Sequence, residues 1–519
     1  MISFLARTDP CSMQKSQRKP SPGLIFLVIG FLLLASVGFW MVLYATVWGA
    51  GWVSDSYQYI GAARNLTQKG VLAYPGSGNS LIPLTHYPPA FSVVLAAFEW
   101  VGWDAYATVR YFHAFLFGLS ILLVGITVLR ISLSPWSGLF ASLLTLFSAP
   151  LLERHAWALS EPLFLALTLS GFLLVDVFYK TGQRLHLTFA LICLTIAWLT
   201  RYIGFVAILT LVIILILFRQ AGWKSLLVNL GLTMVICGVP MALWTFRNFQ
   251  LENQFLNRQL TFTPLGIKNW LSIIQTLMGW LLPTRVIYGR EKWLVIGAGL
   301  FLLLTLAWWF YEANKRKISL LQVLQPMPLV VLYILFCILY VPFVILSKLF
   351  FDPMIGFTER MLIPTQLSVI LLASTLLGFL WKRRNWLGKT IGIVMALLLL
   401  FYYTYEGGSR LQTLHKKGLG VANQQWHKSQ VIQTLQTLET NHLYSNSLST
   451  MYLWTGETGR YFTELTDEDK LINKQAAYLV VFHYLKPNER LQRLMEQFRV
   501  YKEDKIATIY IIPPYALTR

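Results

Sequence analysis

Residues 24–64 read LIFLVIGFLLLASVGFWMVLYATVWGAGWVSDSYQYIGAAR. An apolar run from Leu24 to about Val47 passes directly into a loop that opens Trp52-Val-Ser-Asp55. A bilayer core is crossed by about twenty apolar residues in a helix. The run is longer than the roughly 7–15 apolar residues of a signal peptide, and Arg7, Lys15, Arg18 and Lys19 precede it. It reads as an uncleaved signal anchor whose tail, residues 1–23, stays in the cytoplasm.

Similar runs recur at 106–129, 136–152, 160–179, 185–200, 202–218, 225–246, 293–311, 327–347, 362–381 and 388–405. With the first, that predicts about eleven transmembrane helices. Composition agrees: 56% of residues are hydrophobic, 13% are charged and the mean hydropathy is +0.56. A soluble chain needs about a quarter charged residues to cover its surface. Aromatics reach 15%, with 19 Trp, as two interfacial belts require.

The segment 88–102 (PPAFSVVLAAFEWVG) is short for a span, begins with two prolines and carries Glu99. Basic residues arbitrate, since they collect in cytoplasmic loops. With 88–102 in the interface or re-entrant, six basic segments fall inside: the N-terminal tail, Arg130, Lys180/Arg184, Arg219/Lys224, Lys315/Arg316/Lys317 and Lys382/Arg383/Arg384/Lys389. The expected protein is therefore multi-pass in the cell (plasma or inner) membrane, with a cytoplasmic N-terminus and an extracytoplasmic C-terminus. Its domains are a transmembrane body over 24–406, bearing an outer loop at 48–105, and a polar tail over 407–519. In the tail, 424–440 reads as an amphipathic helix and 488–497 as another. Strands are expected at 442–445, 478–482 and 506–512, which makes a small α/β domain.

The net charge of +20 follows from basic loops and anionic lipid, and no nucleic-acid-binding pattern accompanies it. Cys193, Cys237 and Cys337 lie in apolar spans and Cys11 in the tail, a spacing that fits neither disulfides nor zinc.

The expected topology exports a set of chemically capable residues to one face. Asp55 stands a few residues beyond the first span, as a catalytic carboxylate at the mouth of the bundle or as the N-cap of a helix over 55–68. His86 and Tyr87 precede Pro88-Pro89, either to hydrogen-bond a phosphate or as a solvated loop His and a belt Tyr. Glu153-Arg154-His155 leads to Ser160-Glu161-Pro162, where Ser160 is a candidate cap. An ionisable Glu161 at membrane depth is costly, so it marks a site unless it only complements the helix dipole. Arg201 divides more than thirty apolar residues, to bind a phosphate or to snorkel. Arg360 stands at the lip of another span. Acid, base and cations at one mouth are the inventory for chemistry on a phosphate leaving group.

Asp55, Tyr87-Pro88-Pro89, Ser160-Glu161-Pro162-Leu-Phe, the Arg201–Gly204 hairpin and the Arg360–Pro364 run occur in an order that resembles the dolichyl-phosphate-mannose–protein mannosyltransferase-like membrane glycosyltransferases. These share the C-type superfold with the lipid A aminoarabinose transferases. The likeness covers about residues 24–380. It implies that Asp55 is the key carboxylate. Many members follow that Asp with a second acid, where this chain has Ser56, and aminoarabinose transferases carry an acid and a Lys where it has Thr85-His86-Tyr87.

The expectation is a membrane glycosyltransferase that moves a sugar from a polyprenyl-phosphate donor to a lipid, glycan or protein acceptor on the outer face, with inversion. Asp55 and Glu161 are the catalytic candidates. His86, Tyr87, His155, Arg201 and Arg360 are the donor-binding candidates. No motif demands a cofactor, and a divalent metal ion, where one is used, would sit on Asp55. The competing class is a transporter or flippase, but the paired broken spans of two matching halves are not evident.

Overall fold

The computed structural model describes residues 22–219, 222–253, 260–281, 293, 327–382, 386–438, 442–465 and 477–512. The expected span 293–311 apart from Trp293, the basic run 315–317, Arg383, Arg384 and most of the N-terminal tail lie outside these. Among the described residues, seven helices are long and apolar enough to cross a membrane: Gly23–Ala45, Ala105–Ser132, Glu161–Thr181, Trp223–Glu252, Pro328–Phe350, Glu359–Trp381 and Gly388–Lys417. The protein is multi-pass and mostly helical.

Three expected spans differ in form. The stretch 136–152 is two helices, Pro135–Leu146 and Ala149–Ala156, bent by 55°. Pro150 supplies the reason, since it has no N–H for the carbonyl of Leu146. The stretches 185–200 and 202–218 become the short helices Arg184–Thr200 and Phe205–Leu217, joined by the 3₁₀ turn Tyr202–Gly204. The helix Ala90–Trp100 has 11 residues, about half the length that a span needs.

Contacts divide the chain into two compact units. The first comprises Met1–Met41, Ala114–Arg154 and Glu161–Arg410. Its helices approach through small residues, as membrane helices do. A Cβ on Gly171 would meet Leu194 Cδ2 at 2.7 Å, and one on Gly407 would meet the Phe147 carbonyl oxygen at 2.2 Å. The stretch Trp223–Glu252 passes through a π turn at Met234–Gly238. Pro240 has no N–H to offer the Ile236 carbonyl, and the Thr195 hydroxyl of a neighbouring helix donates to that oxygen at 3.1 Å.

The second unit comprises Val42–His113, His155–Ser160 and Leu411–Arg519. Its early part is the helix Ser54–Lys69, the antiparallel hairpin β1 (Ala73–Pro75) and β2 (Leu81–Pro83), and the helix Ala90–Trp100. Its later part holds a five-stranded mixed sheet of β3 (Leu443–Ser445), β4 (Arg460–Tyr461), β5 (Ala477–Phe482), β6 (Arg499–Glu503) and β7 (Ala507–Ile512), in the order β4-β3-β5-β7-β6. Leu479 and Val481 of β5 pack on one face with Leu491 and Leu494 of the helix Glu489–Gln497. Val480 and Phe482 pack on the other with Val431, Ile432 and Leu435 of the helix Gln430–Thr437. Burial on both faces explains why β5 reads as a continuous apolar run. The amphipathic segment expected over 424–440 is interrupted, because Ser429 Oγ accepts from Ile432 N at 3.1 Å and starts a new helix.

Candidate functional site

Within the first unit, Glu161 opens the helix Glu161–Thr181, and its side chain is 2% exposed. Its Oε1 lies 2.8 Å from Arg201 Nη1 and 2.8 Å from Arg360 Nε. Arg201 is presented by an extended residue between the helix Arg184–Thr200 and the 3₁₀ turn. That turn is tight because a Cβ on Gly204 would come within 2.5 Å of Trp198 Cα. Arg360 comes from the first turn of the helix Glu359–Lys382. Three segments far apart in sequence thus meet on one carboxylate. A second carboxylate of this unit, Glu153, lies 3.0 Å from Arg154 Nη2 and accepts from Arg410 Nε at 2.8 Å. Arg154 and Arg410 were missed as partners, since only the fold brings Arg410 to Glu153.

Within the second unit, the expected capping role of Asp55 is corrected. The helix starts at Ser54, the cap is Val53, and it is Ser56 Oγ that accepts from Val53 N at 3.2 Å. Asp55 stays in the first turn, half-buried, with Ser54 Oγ 3.3 Å from its Oδ1. Its helix is held firmly. Tyr59 OH lies 3.1 Å from Ser160 Oγ, and both residues are buried. Arg64 Nη2 lies 2.6 Å from Asp104 Oδ2, and Arg64 Nε 3.6 Å from Glu99 Oε1. Burial works to raise the Asp104 carboxyl, yet the Ala107 N–H and the Arg64 guanidinium outweigh it and hold it below the usual range. His86 and Tyr87 are half-buried, and their rings meet edge-on at 4.7 Å. Tyr87 in turn contacts the ring of Tyr59 at 4.9 Å. His155 is fully buried in this unit.

Asp55 is followed by Ser56 rather than by a second acid, and among the described residues no three His, Cys, Asp or Glu side chains converge. These residues do not make a cation cage around Asp55, and no step below runs through a metal.

Residues 26–255 match the sequence model of the dolichyl-phosphate-mannose-protein mannosyltransferase family. No curated protein sequence matches the chain. ArnT from Cupriavidus metallidurans in the apo state is a structural neighbour, with a TM-score of 0.59 and 13% identity over 96% of this chain and 100% of that one. The same protein bound to undecaprenyl phosphate gives 0.57 and 14% over 96% and 100%. At such identities the likeness is one of fold. The chain thus resembles the dolichyl-phosphate-mannose-protein mannosyltransferase family over residues 26–255, under half of its length, and is similar in fold to ArnT.

Proposed function

We propose that the chain transfers a sugar from a polyprenyl-phosphate donor on the outer face of the membrane, with Arg201 and Arg360 holding the donor phosphate. The observation that carries this reading is the pairing on Glu161. Two guanidiniums from distant segments converge on one buried carboxylate oxygen. The arginine side chains are 17% and 26% exposed against 2% for the acid. Guanidinium forks suit phosphate oxygens, and their partial exposure leaves N–H groups within reach of a ligand. Glu161 is then a positioning residue, not an acid or base. The binding of undecaprenyl phosphate by ArnT agrees with a lipid-phosphate donor.

In the proposed reaction the acceptor oxygen attacks the anomeric carbon. The new C–O bond forms as the bond from that carbon to the phosphate oxygen breaks, and the configuration inverts. The electron pair leaves with the lipid phosphate, a weak base that needs cations rather than a proton. The acceptor's proton passes to Asp55, whose place in the first turn of a fixed helix supports the role of general base. Nucleotide sugars are cytoplasmic, so an outer site requires a donor already carried across, which a polyprenyl-phosphate sugar is. The test is to incubate the purified protein in lipid nanodiscs with a panel of labelled polyprenyl-phosphate sugars. Consumption of one donor with release of polyprenyl phosphate is expected, and consumption of none would overturn the reading.

A further inference from the structure

The second unit holds a cavity of about 820 Å³, within the roughly 300–1,000 Å³ of small-molecule sites. Its walls come from the segment Trp52–Tyr57, the β1–β2 hairpin and the C-terminal sheet domain. These walls are tied together. Gly78 N donates to Gly459 O at 2.7 Å, Thr458 Oγ1 to Gly76 O at 2.8 Å and Trp52 Nε1 to Ser449 O at 3.1 Å. Twenty described residues line the cavity, and none is charged, although the chain as a whole carries +20.

We infer that this cavity binds an uncharged carbohydrate stretch of the acceptor, a conclusion that rests on the function proposed above. Six of the lining residues are aromatic. Tyr57 and Tyr74 meet edge-on at 5.7 Å, and Trp426 and Tyr484 edge-on at 5.9 Å. Between the rings stands a cluster of hydroxyls, with Tyr484 OH 2.8 Å from Ser447 Oγ and 2.9 Å from Thr450 Oγ1. Tyr57 stays a neutral hydroxyl, since burial and then the neighbouring Tyr74 and Tyr452 push its ionisation up, and it donates to the Pro75 carbonyl. Aromatic faces beside hydroxyls that both donate and accept match a sugar ring, which has apolar C–H faces and a rim of hydroxyls. A lipid tail would leave the hydroxyl cluster facing hydrocarbon, which is costly. An anionic ligand finds no cation in the lining. The placement also fits the chemistry, because Ser54 lines the cavity and the next residue is Asp55, the proposed base.

The test uses the full chain in nanodiscs and saturation-transfer NMR. The probes are neutral tetrasaccharides of glucose, mannose, galactose and N-acetylglucosamine, a galacturonate tetrasaccharide and a Ser/Thr-rich peptide. At least one neutral saccharide binds, and the galacturonate and the peptide do not. Tyr461→Ala and Tyr484→Ala, which remove lining rings 37% and 50% exposed, weaken that binding about tenfold, while Tyr484→Phe keeps most of it. In transfer assays the alanine variants raise the acceptor KM and leave the donor KM unchanged. Binding of only the galacturonate or the peptide, binding of nothing, or neutral binding indifferent to both alanine variants overturns the inference. If the wild type consumes no donor, the functional reading falls, and the binding arm still decides the fate of the cavity.

Discussion

Arg201 Nη1 stands 2.8 Å from Glu161 Oε1, and the same oxygen holds Arg360 Nε at 2.8 Å. A carboxylate committed to two guanidiniums is a poor proton acceptor and a good brace. Losing one partner of a buried ion pair costs about 3–5 kcal/mol, and the partial exposure of both arginines places the effect at the lower end. Glu161→Gln is therefore expected to lower the melting temperature in detergent and to raise the donor KM more than it lowers kcat. Glu161→Asp should restore part of both. A Gln variant with wild-type melting and donor KM would show the pairing to be incidental.

The arginines differ from Glu161 in what their loss removes. Arg360→Ala leaves Glu161 one guanidinium but takes a proposed phosphate donor away. A hydrogen bond to a charged group is worth about 1.5–3 kcal/mol, so the donor KM should rise on the order of 10- to 100-fold. Arg201→Lys keeps the charge and loses the fork, and should fall between the wild type and Arg201→Ala. Titration with a non-transferable polyprenyl phosphate reads this directly. Equal affinity in all variants would remove the arginines from the phosphate site.

Gly204 matters through space rather than through backbone angle. A Cβ there would lie 2.5 Å from Trp198 Cα and 2.7 Å from Trp198 N, both backbone atoms that cannot swing away. Gly204→Ala should destabilise by about 1–3 kcal/mol, the usual range for overpacking, and should weaken donor binding through Arg201. Thermal unfolding and donor titration of the variant measure both effects.

Long apolar runs made the multi-pass fold legible, because a span must satisfy its own backbone in lipid and only a long apolar helix does so. What the runs hid was local chemistry. Pro150 bends one expected span, and its effect depends on an N–H that the sequence merely lacks. Ser54, Asp55 and Ser56 are all capping types, so the sequence alone did not show that Ser56 serves Val53 N. β6, with the residues Arg-Val-Tyr-Lys-Glu, is an exposed edge strand whose charges read as loop. Of the site, Glu161, Arg201 and Arg360 were each visible as ionisable residues at the ends of apolar runs. Their meeting on one oxygen was not, because it joins helices about forty and two hundred positions apart.

The C-terminal sheet domain carries its own pH dependence. Burial acts to raise the Asp504 carboxyl, but the Ser429 hydroxyl and the N–H groups of Ile506, Ala507 and Val431 prevail and hold it below the usual range. A carboxyl depressed in the folded state contributes stability that is full above its unfolded value, near 3.9, and is lost as pH falls through the lower folded value. The domain should lose stability below about pH 4. Asp504→Asn should flatten that part of the profile and lower stability at neutral pH. Unfolding followed from pH 7 to pH 2 by circular dichroism tests this, and an unchanged slope in the variant would contradict it.

Asp55 is the residue proposed to take the acceptor's proton during transfer from a polyprenyl-phosphate sugar. The most direct measurement is the rate of polyprenyl phosphate release with donor and acceptor present, in the wild type and in Asp55→Asn. Val53 is the cap and Ser56 serves it, so the Asn variant should fold and bind donor as the wild type does. Loss of a general base costs about 10²–10⁴ in rate. A fall of that size with donor affinity intact is expected, and release by Asp55→Asn at the wild-type rate would remove Asp55 from the role of base.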